Sequence, residues 1–323
     1  MKCIDKIKIL LCCICVSIIT VTGCSSDSIV TTYETENYNK NLYQNHLFAE
    51  QLCVANEDIK ITDFTGDSTL HAAGLFNLDT HEVEYAYHIH DRIYPASTTK
   101  ILTALVALKN SEPDDIVTVS STAAASSFGI DDQVCGLREG DQLTMEALLY
   151  GLLLYSGNDN AVAIAEYIGG SIEGFASLLN EQAADLMATN THFTSPNGLH
   201  DDDHYTTAYD LYLIFNECIK YDEFMTIISS SQYTADITGV DGSIRQITWE
   251  PTSYYARGLA ALPEGAVVVG GKTGYTGEAG NCLILLDKDD TGTSYISIVM
   301  GAETKSQLYD DMTALINQIP NTK

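Results

Sequence analysis

The feature that most constrains this chain is a change in its hydrophobic period: strand-like at both ends of its body and helical in between. Two alternating runs, Ser68 to Asn77 and Glu82 to His90, flank Leu78-Asp79-Thr80-His81 and read as a hairpin. Pro95 then stops the strand, and Ser97 opens a helix to about Asn110. Thr144 caps Met145 to Tyr155, Asp159 leads into Ala161 to Ile168 before Gly169-Gly170, and Ile172 to Met187 keeps a helical spacing. Thr207-Ala208-Tyr209-Asp210 has the form of a capping box before Leu211 to Lys220. Beyond Ser229 the period returns to two: Gln232 to Ile237 and Ser243 to Trp249 around Asp241-Gly242, then Ala266 to Gly270, Asn281 to Leu286 and Ser294 to Gly301. A last helix runs from about Lys305 to Ile319. This order predicts an α+β fold in which the N- and C-terminal segments share one antiparallel sheet around an inserted, all-helical subdomain.

Charge narrows the partners. The 323 residues carry 44 acidic against 16 basic side chains, a net charge of −28, which argues against nucleic acid and anionic membrane surfaces as partners. The N-terminus runs the other way, with Lys2, Lys6 and Lys8 ahead of an apolar stretch from Ile9 to Val21. That stretch is shorter than the ~20 apolar residues of a spanning helix and reads as an export signal. Val21-Thr22-Gly23-Cys24 resembles a bacterial lipobox, which implies cleavage before Cys24 and a lipid on its thiol. The rival is an ordinary signal peptide or an uncleaved anchor. The division expected is a lipoprotein signal peptide over 1–23, a polar tether over 24–60 with a short helix around His46 to Val54, and a folded domain over 61–323. A lipid would hold the acidic body to the outer face of the bacterial cytoplasmic membrane; the alternative is a secreted protein. Of the cysteines beyond Cys24, the widely spaced Cys53, Cys135, Cys218 and Cys282 read as buried free thiols, although an even number permits disulfides.

Three short motifs carry chemistry. Ser97 and Lys100 stand one helical turn apart, so a hydroxyl and an amine are neighbours. An amine whose pKa falls from ~10.4 towards ~7 to 8 can take the proton of a serine nucleophile. A lone serine-x-x-lysine arises about once by chance in a chain of this composition. Ser156-Gly157-Asn158 between two helices and Lys272-Thr273-Gly274 after the strand at Ala266 change those odds, because all three in this order are the signature of penicillin-binding proteins and serine β-lactamases.

The stretches Tyr94 to Leu105, Leu148 to Asp159, Ser195 to His200, His204 to Asp210 and Gly271 to Thr276 closely resemble the serine-type D-alanyl-D-alanine carboxypeptidases, the low-molecular-mass penicillin-binding proteins of peptidase family S11. The resemblance covers about residues 68 to 319 and implies the serine β-lactamase/transpeptidase-like fold. It implies that Ser97 attacks the terminal D-Ala-D-Ala bond of a peptidoglycan stem peptide and forms an acyl-enzyme that water resolves. Lys100 would be its base, Ser156 the relay to the leaving amine, and Asn158 the group that orients Lys100 and binds substrate. Lys272 would depress the pKa of Lys100 and, with Thr273 and Gly274, bind the substrate carboxylate; the N–H groups of Ser97 and Tyr275 would form the oxyanion hole. β-Lactams would be covalent inhibitors, with no cofactor and no metal.

Three departures stand out. Tyr155 replaces a usual proline before the second motif, which is expected to alter the cleft wall. Pro251-Thr252-Ser253 stands where the family often has asparagine-threonine-asparagine, which puts contacts there in doubt. The chain also stops at Lys323, so the N-terminal lipid is expected to stand in for a C-terminal anchor. Ser195-Pro196-Asn197 is a second serine-x-asparagine, but the helix-flanked Ser156 fits the family better. The rival functions are a serine β-lactamase or related esterase, a penicillin-binding wall lipoprotein with little turnover, and a zinc enzyme built on His88-Ile89-His90 and His200 to His204. In the last case no third ligand stands at a metal spacing; the first histidine pair reads as one face of a strand and the second as an acidic surface loop.

Overall fold

The structure is a computed structural model that describes residues 50–61, 64 and 66–319. The expected signal peptide, Cys24 and the tether up to residue 49 lie outside them. The chain divides into Met1–Glu50 and Gln51–Lys323, and the second unit is the body. Residues 51–60, expected to belong to the tether, pack on that body. Cys53 is fully buried, its N–H donates to the Tyr212 hydroxyl at 2.8 Å, and Ile59 forms a bridge with Ala86. Residues 50–54 are a turn and extended chain rather than part of a helix, because burying Cys53 in the core outweighs weak local helix preference.

Five antiparallel strands form the main sheet in the order β2-β1-β9-β8-β7, where β1 is Ala72–Asn77, β2 Glu82–Tyr87, β7 Val267–Thr276, β8 Gly280–Lys288 and β9 Ser294–Ala302. The terminal segments therefore do share one sheet. Its two faces follow the period-two pattern. Leu283, Leu285 and Val299 pack with Leu308, Met312 and Leu315 of the C-terminal helix, whereas Ile284, Leu286, Ile298 and Met300 join the core formed with the inserted helices. At ~1.5–3 kcal/mol for each fully buried large apolar side chain, these two layers dominate the stability.

The helices are α1 (Lys100–Asn110), α2 (Met145–Tyr150), α3 (Asn158–Gly169), α4 (Ile172–Asp185), α5 (Ala208–Cys218), α6 (Asp222–Ile228) and α7 (Lys305–Ile316). Helix α1 is buried from Lys100 to Ala107, so it forms the axis of the body rather than an amphipathic surface helix. Thr144 and Thr207 cap α2 and α5 as expected. Only half of the capping box at α5 forms, because the Asp210 carboxylate accepts instead from Asn190 N and Thr191 Oγ1, each at 2.8 Å.

The inserted part is not purely helical. A second sheet, in the order β3-β4-β5-β6, joins β3 (Ile116–Thr118), β4 (Gln142–Thr144), β5 (Tyr233–Thr238) and β6 (Ile244–Trp249). The hairpin β5-β6 thus leaves the main sheet, held by buried Trp249 and by Tyr233 stacked on Tyr150 at 3.8 Å. Strands as short as β3 and β4 leave little periodic signal in a sequence. Strand β2 ends at Tyr87, so His88 and His90 stand in the turn after it and not on one strand face. All four cysteines of the body are buried and free.

Candidate active site

A single 3-10 turn, Ala96–Thr99, carries Ser97 into α1. Ala96 has φ 48°, a left-handed conformation that costs an alanine on the order of 1 kcal/mol and persists because α1 and β7 fix both sides of the turn. Lys100, one turn on, is fully buried. Its Nζ donates to Ser97 Oγ at 2.8 Å, Asn158 Oδ1 at 2.8 Å and the Asn197 carbonyl at 2.7 Å. Burial lowers its pKa to about 7, against the opposing pull of Asp159 and Asp132. An amine near that value is half deprotonated at neutral pH and lies within reach of the serine hydroxyl, which is the condition for a general base.

Helix α2 continues as a π-helical turn, Gly151–Tyr155, and ends in Ser156 at φ 70°. That turn aims the hydroxyl at Lys272, whose Nζ donates to Ser156 Oγ at 2.8 Å and to the Thr273 carbonyl at 2.7 Å. Gly157 is required by space, since a Cβ there would sit 2.6 Å from Cys135 Sγ. Asp159, buried behind the motif, accepts from the N–H groups of Cys135, Gly136 and Leu137 at 2.8, 2.9 and 3.0 Å. Those bonds fix the loop whose Gln133 carbonyl accepts from Asn158 N at 2.8 Å.

Lys272-Thr273-Gly274 does not follow its strand but lies within β7, which is longer than expected. Period-two reading failed there because Gly270, Gly271 and Gly274 interrupt the apolar alternation. The missing Cβ of Gly274 would stand 3.1 Å from Ser97 N, so β7 passes directly beside Ser97. Lys272 is also buried, and burial together with the charge of Lys100 holds its pKa well below the usual range. Burial is thus the main cause that lowers both amines.

Ser97, Ser156, Asn158, Thr273, Gly274 and Tyr275 line one cleft of about 330 Å³. Thr252 lines it too and shares a 2.6 Å hydrogen bond with Thr273 Oγ1, so the departing Pro251-Thr252-Ser253 segment still supplies a polar group. Tyr155 is not among the lining residues; it packs part-buried against the core, and the expected change in the cleft wall does not arise from its side chain. A larger groove of about 590 Å³, lined by Leu108, Met145, Tyr150 and Tyr221, lies away from these groups.

Sequence reasoning missed two supports. Asn197 contributes its carbonyl to Lys100, and Gly198 (φ 79°) follows it where any Cβ would overlap the Ala96 carbonyl. His204, expected in a surface loop, is buried, its ring stacked on Phe193 at 4.7 Å. Thr194 N–H donates to its Nδ1 at 3.0 Å, so Nε2 carries the proton and donates to Thr99 Oγ1 at 2.8 Å; that hydroxyl donates on to the Ala96 carbonyl. Burial lowers the His204 pKa to about 4, which keeps the ring neutral. Among the described residues no group of three metal-ligating side chains comes together.

The D-alanyl-D-alanine carboxypeptidase family model, Peptidase S11, matches residues 64–304. The chain belongs to this family. Among peptidase S11 relatives, it is 32% identical over 252 residues to D-alanyl-D-alanine carboxypeptidase DacF of Bacillus subtilis, covering 76% of this chain and 61% of the relative. It is 33% identical over 230 residues to the D-alanyl-D-alanine carboxypeptidase of Streptomyces sp. strain K15, covering 68% and 77%. The chain thus spans less than two thirds of the length of the B. subtilis relative. The crystal structure of the Streptomyces K15 DD-transpeptidase superposes with a TM-score of 0.74 at 30% identity, covering 81% of this chain and all of that one. The fold of this S11 member is accordingly the α+β fold of the DD-peptidases.

Proposed function

We propose that the protein is a penicillin-sensitive serine DD-carboxypeptidase that removes the terminal D-alanine from peptidoglycan stem peptides. The observation that carries this reading is the pair of hydrogen-bonded relays in one cleft, Ser97–Lys100–Asn158 and Ser156–Lys272. Lys100 takes the Ser97 proton as Oγ attacks the carbonyl of the penultimate D-alanine, and the N–H groups of Ser97 and Tyr275 stabilise the oxyanion, each worth ~3 kcal/mol of barrier. Collapse breaks the peptide bond, Ser156 passes a proton to the departing D-alanine amine with Lys272 behind it, and the Ser97 ester remains. Lys100, neutral again once its proton has replaced the one Ser156 gave away, takes a proton from the water that adds to that ester and returns it to Ser97 Oγ as the ester bond breaks, which frees the shortened peptide. The carboxylates lining the cleft, Asp131 and Asp132, precede the second motif, so the glutamate-activated water expected of the common β-lactamase class has no counterpart there.

The deciding experiment is D-alanine release from diacetyl-Lys-D-Ala-D-Ala by the purified protein, with glycylglycine added to see whether an amine competes with water. Intact-mass analysis after benzylpenicillin should show one adduct that Ser97→Ala abolishes. An adduct that persists in that variant, or inhibition by chelator alone, would overturn the serine mechanism. We also propose export and a lipid on Cys24. Cys24→Ser should then move the protein from the membrane fraction to the soluble one, and no movement would refute the anchor.

A further inference from the structure

Each group that holds Lys100 must itself be held, and for Asn158 the support comes from outside the three motifs. Asn158 opens α3; its N–H donates to the Gln133 carbonyl at 2.8 Å, while its Oδ1 accepts from Lys100. Gln133 begins a stretch, 133–138, that is neither helix nor strand. With no ladder to join, the backbone donors of this loop must be satisfied from elsewhere. Asp159, the residue after Asn158, satisfies them. Its carboxylate is completely buried: Oδ1 accepts from Cys135 N and Asn160 N at 2.8 and 3.0 Å, and Oδ2 from Gly136 N and Leu137 N at 2.9 and 3.0 Å. Gly136 takes φ 85°, which turns successive N–H groups to one side and makes an anion-binding nest. On the carbonyl side of the loop, Trp249 Nε1 donates to Cys135 O at 3.4 Å and Arg245 Nη2 to Gly136 O at 3.2 Å.

The nest also fixes a charge. Burial pushes the Asp159 pKa up, yet among the described residues all four partners of the carboxyl are N–H donors, so a proton on it would find no acceptor. Asp159 also stands in the first turn of α3, where the positive end of the helix favours an anion. The geometry therefore suits the carboxylate. Of the groups that act on Lys100, the Cys135 thiol is kept neutral by burial, Asp132 is partly open to solvent, and Lys272 is the opposing cation. His204 is neutral. Asp159 is thus the negative charge that solvent screens least.

We infer that Asp159 is a positioning residue of the active site, which holds the 133–137 loop that seats Asn158 against Lys100 and keeps a fixed negative charge behind that amine. This rests on the DD-carboxypeptidase reading. It adds to that reading a residue that touches neither the substrate nor Ser97.

The test follows acylation of Ser97 by benzylpenicillin against pH, with backbone amide hydrogen exchange, in the wild type, Asp159→Asn, Asp159→Glu and Trp249→Phe. Asp159→Asn removes the charge and turns a donor towards the nest. Its acylation should fall about tenfold or more at pH 7, in the covalent step rather than in initial binding. A carboxylate favours the charged amine, so without it the inflection should drop from about 7 by roughly half a pH unit or more. Asp159→Glu keeps the charge, and its inflection should stay near that of the wild type even though a longer side chain displaces the loop and slows acylation. Trp249→Phe loosens the loop from the other side and leaves the inflection in place. Exchange of the amides of residues 135–137 should quicken about tenfold or more in Asp159→Asn and Trp249→Phe, while those of β8 and β9 stay protected. An unmoved inflection in Asp159→Asn, or amides of 135–137 that exchange as in the wild type in both of those variants, overturns the inference. A wild-type protein that neither releases D-alanine nor is acylated overturns the underlying reading instead, and the exchange arm, which needs no substrate, still tests Asp159.

Discussion

The chain contains two serine-x-asparagine segments, and both end at the same amine by different atoms. In Ser156-Gly157-Asn158 the side chains face the cleft: the serine hydroxyl accepts from Lys272 and the asparagine side-chain oxygen accepts from Lys100. In Ser195-Pro196-Asn197 they turn back on the loop, where Asn197 Oδ1 accepts from Ser195 Oγ and from Leu199 N, each at 3.1 Å, and only the main-chain carbonyl reaches Lys100. Backbone conformation makes the difference. A left-handed Ser156 after a π-turn throws its side chain inward, whereas the second segment closes a local turn in which Asn197 satisfies its neighbours. The same tripeptide pattern therefore turns its side chains to the cleft lysines at one site and to its own loop at the other.

That contrast can be broken in several places. Lys100→Met removes the partner common to both segments and should cut acylation of Ser97 by benzylpenicillin ~10³-fold or more, with the fold intact by circular dichroism. A variant retaining a tenth of the wild-type rate would show that Lys100 is not the base. Next in size, Ser156→Ala and Asn158→Ala should each lower D-alanine release by ~10²-fold, while Ser195→Ala and Asn197→Ala stay within about fivefold. Equal losses in the two pairs would erase the distinction drawn above.

The supporting role of the second segment is best read through stability. Gly198→Ala should destabilise by about 2–4 kcal/mol in urea titration, since φ is positive and the added Cβ meets the Ala96 carbonyl; an unchanged midpoint would mean that the loop does not brace Ser97. His204 gives a smaller, pH-dependent effect. Its folded pKa of about 4 lies below the ~6.5 of an unfolded histidine, so the unfolded chain binds the extra proton between those values. Stability tied to His204 should be complete above pH 6.5 and fall towards pH 4, and His204→Asn should flatten that slope in unfolding curves taken at pH 7 and pH 4.5. Smallest is the pH profile of acylation. Rates should rise through about pH 7 as Lys100 loses its proton and then level off, and an inflection well above 8 would contradict a neutral buried amine.

The three motifs were legible because each needs fixed residue types at short spacing, and their order survives any folding. The sharing of one sheet by the two terminal segments, and the helices inserted between them, followed from periodicity over long runs such as β8, β9 and α5. Where glycines broke the alternation, as across Gly270 and Gly271 in β7, the strand was cut short. Where strands had only three residues, as in β3 and β4, the second sheet went unseen. His204 looked like surface because Asp201, Asp202 and Asp203 precede it, and nothing local reveals that Phe193 and Thr99 close over its ring.

The sequence by itself determined the family and the placing of Ser97 and Lys100 one turn apart at the start of α1, because those relations are fixed by residue order and helix geometry. Only the tertiary structure decided what makes them work together. Burial, which no spacing records, sets the protonation of Lys100; the Asn197 carbonyl and the Thr252 hydroxyl arrive from segments remote in the chain. Solvent access to the cleft is likewise a property of the assembled body, since, unlike residue type, it exists only once segments remote in the chain close around it.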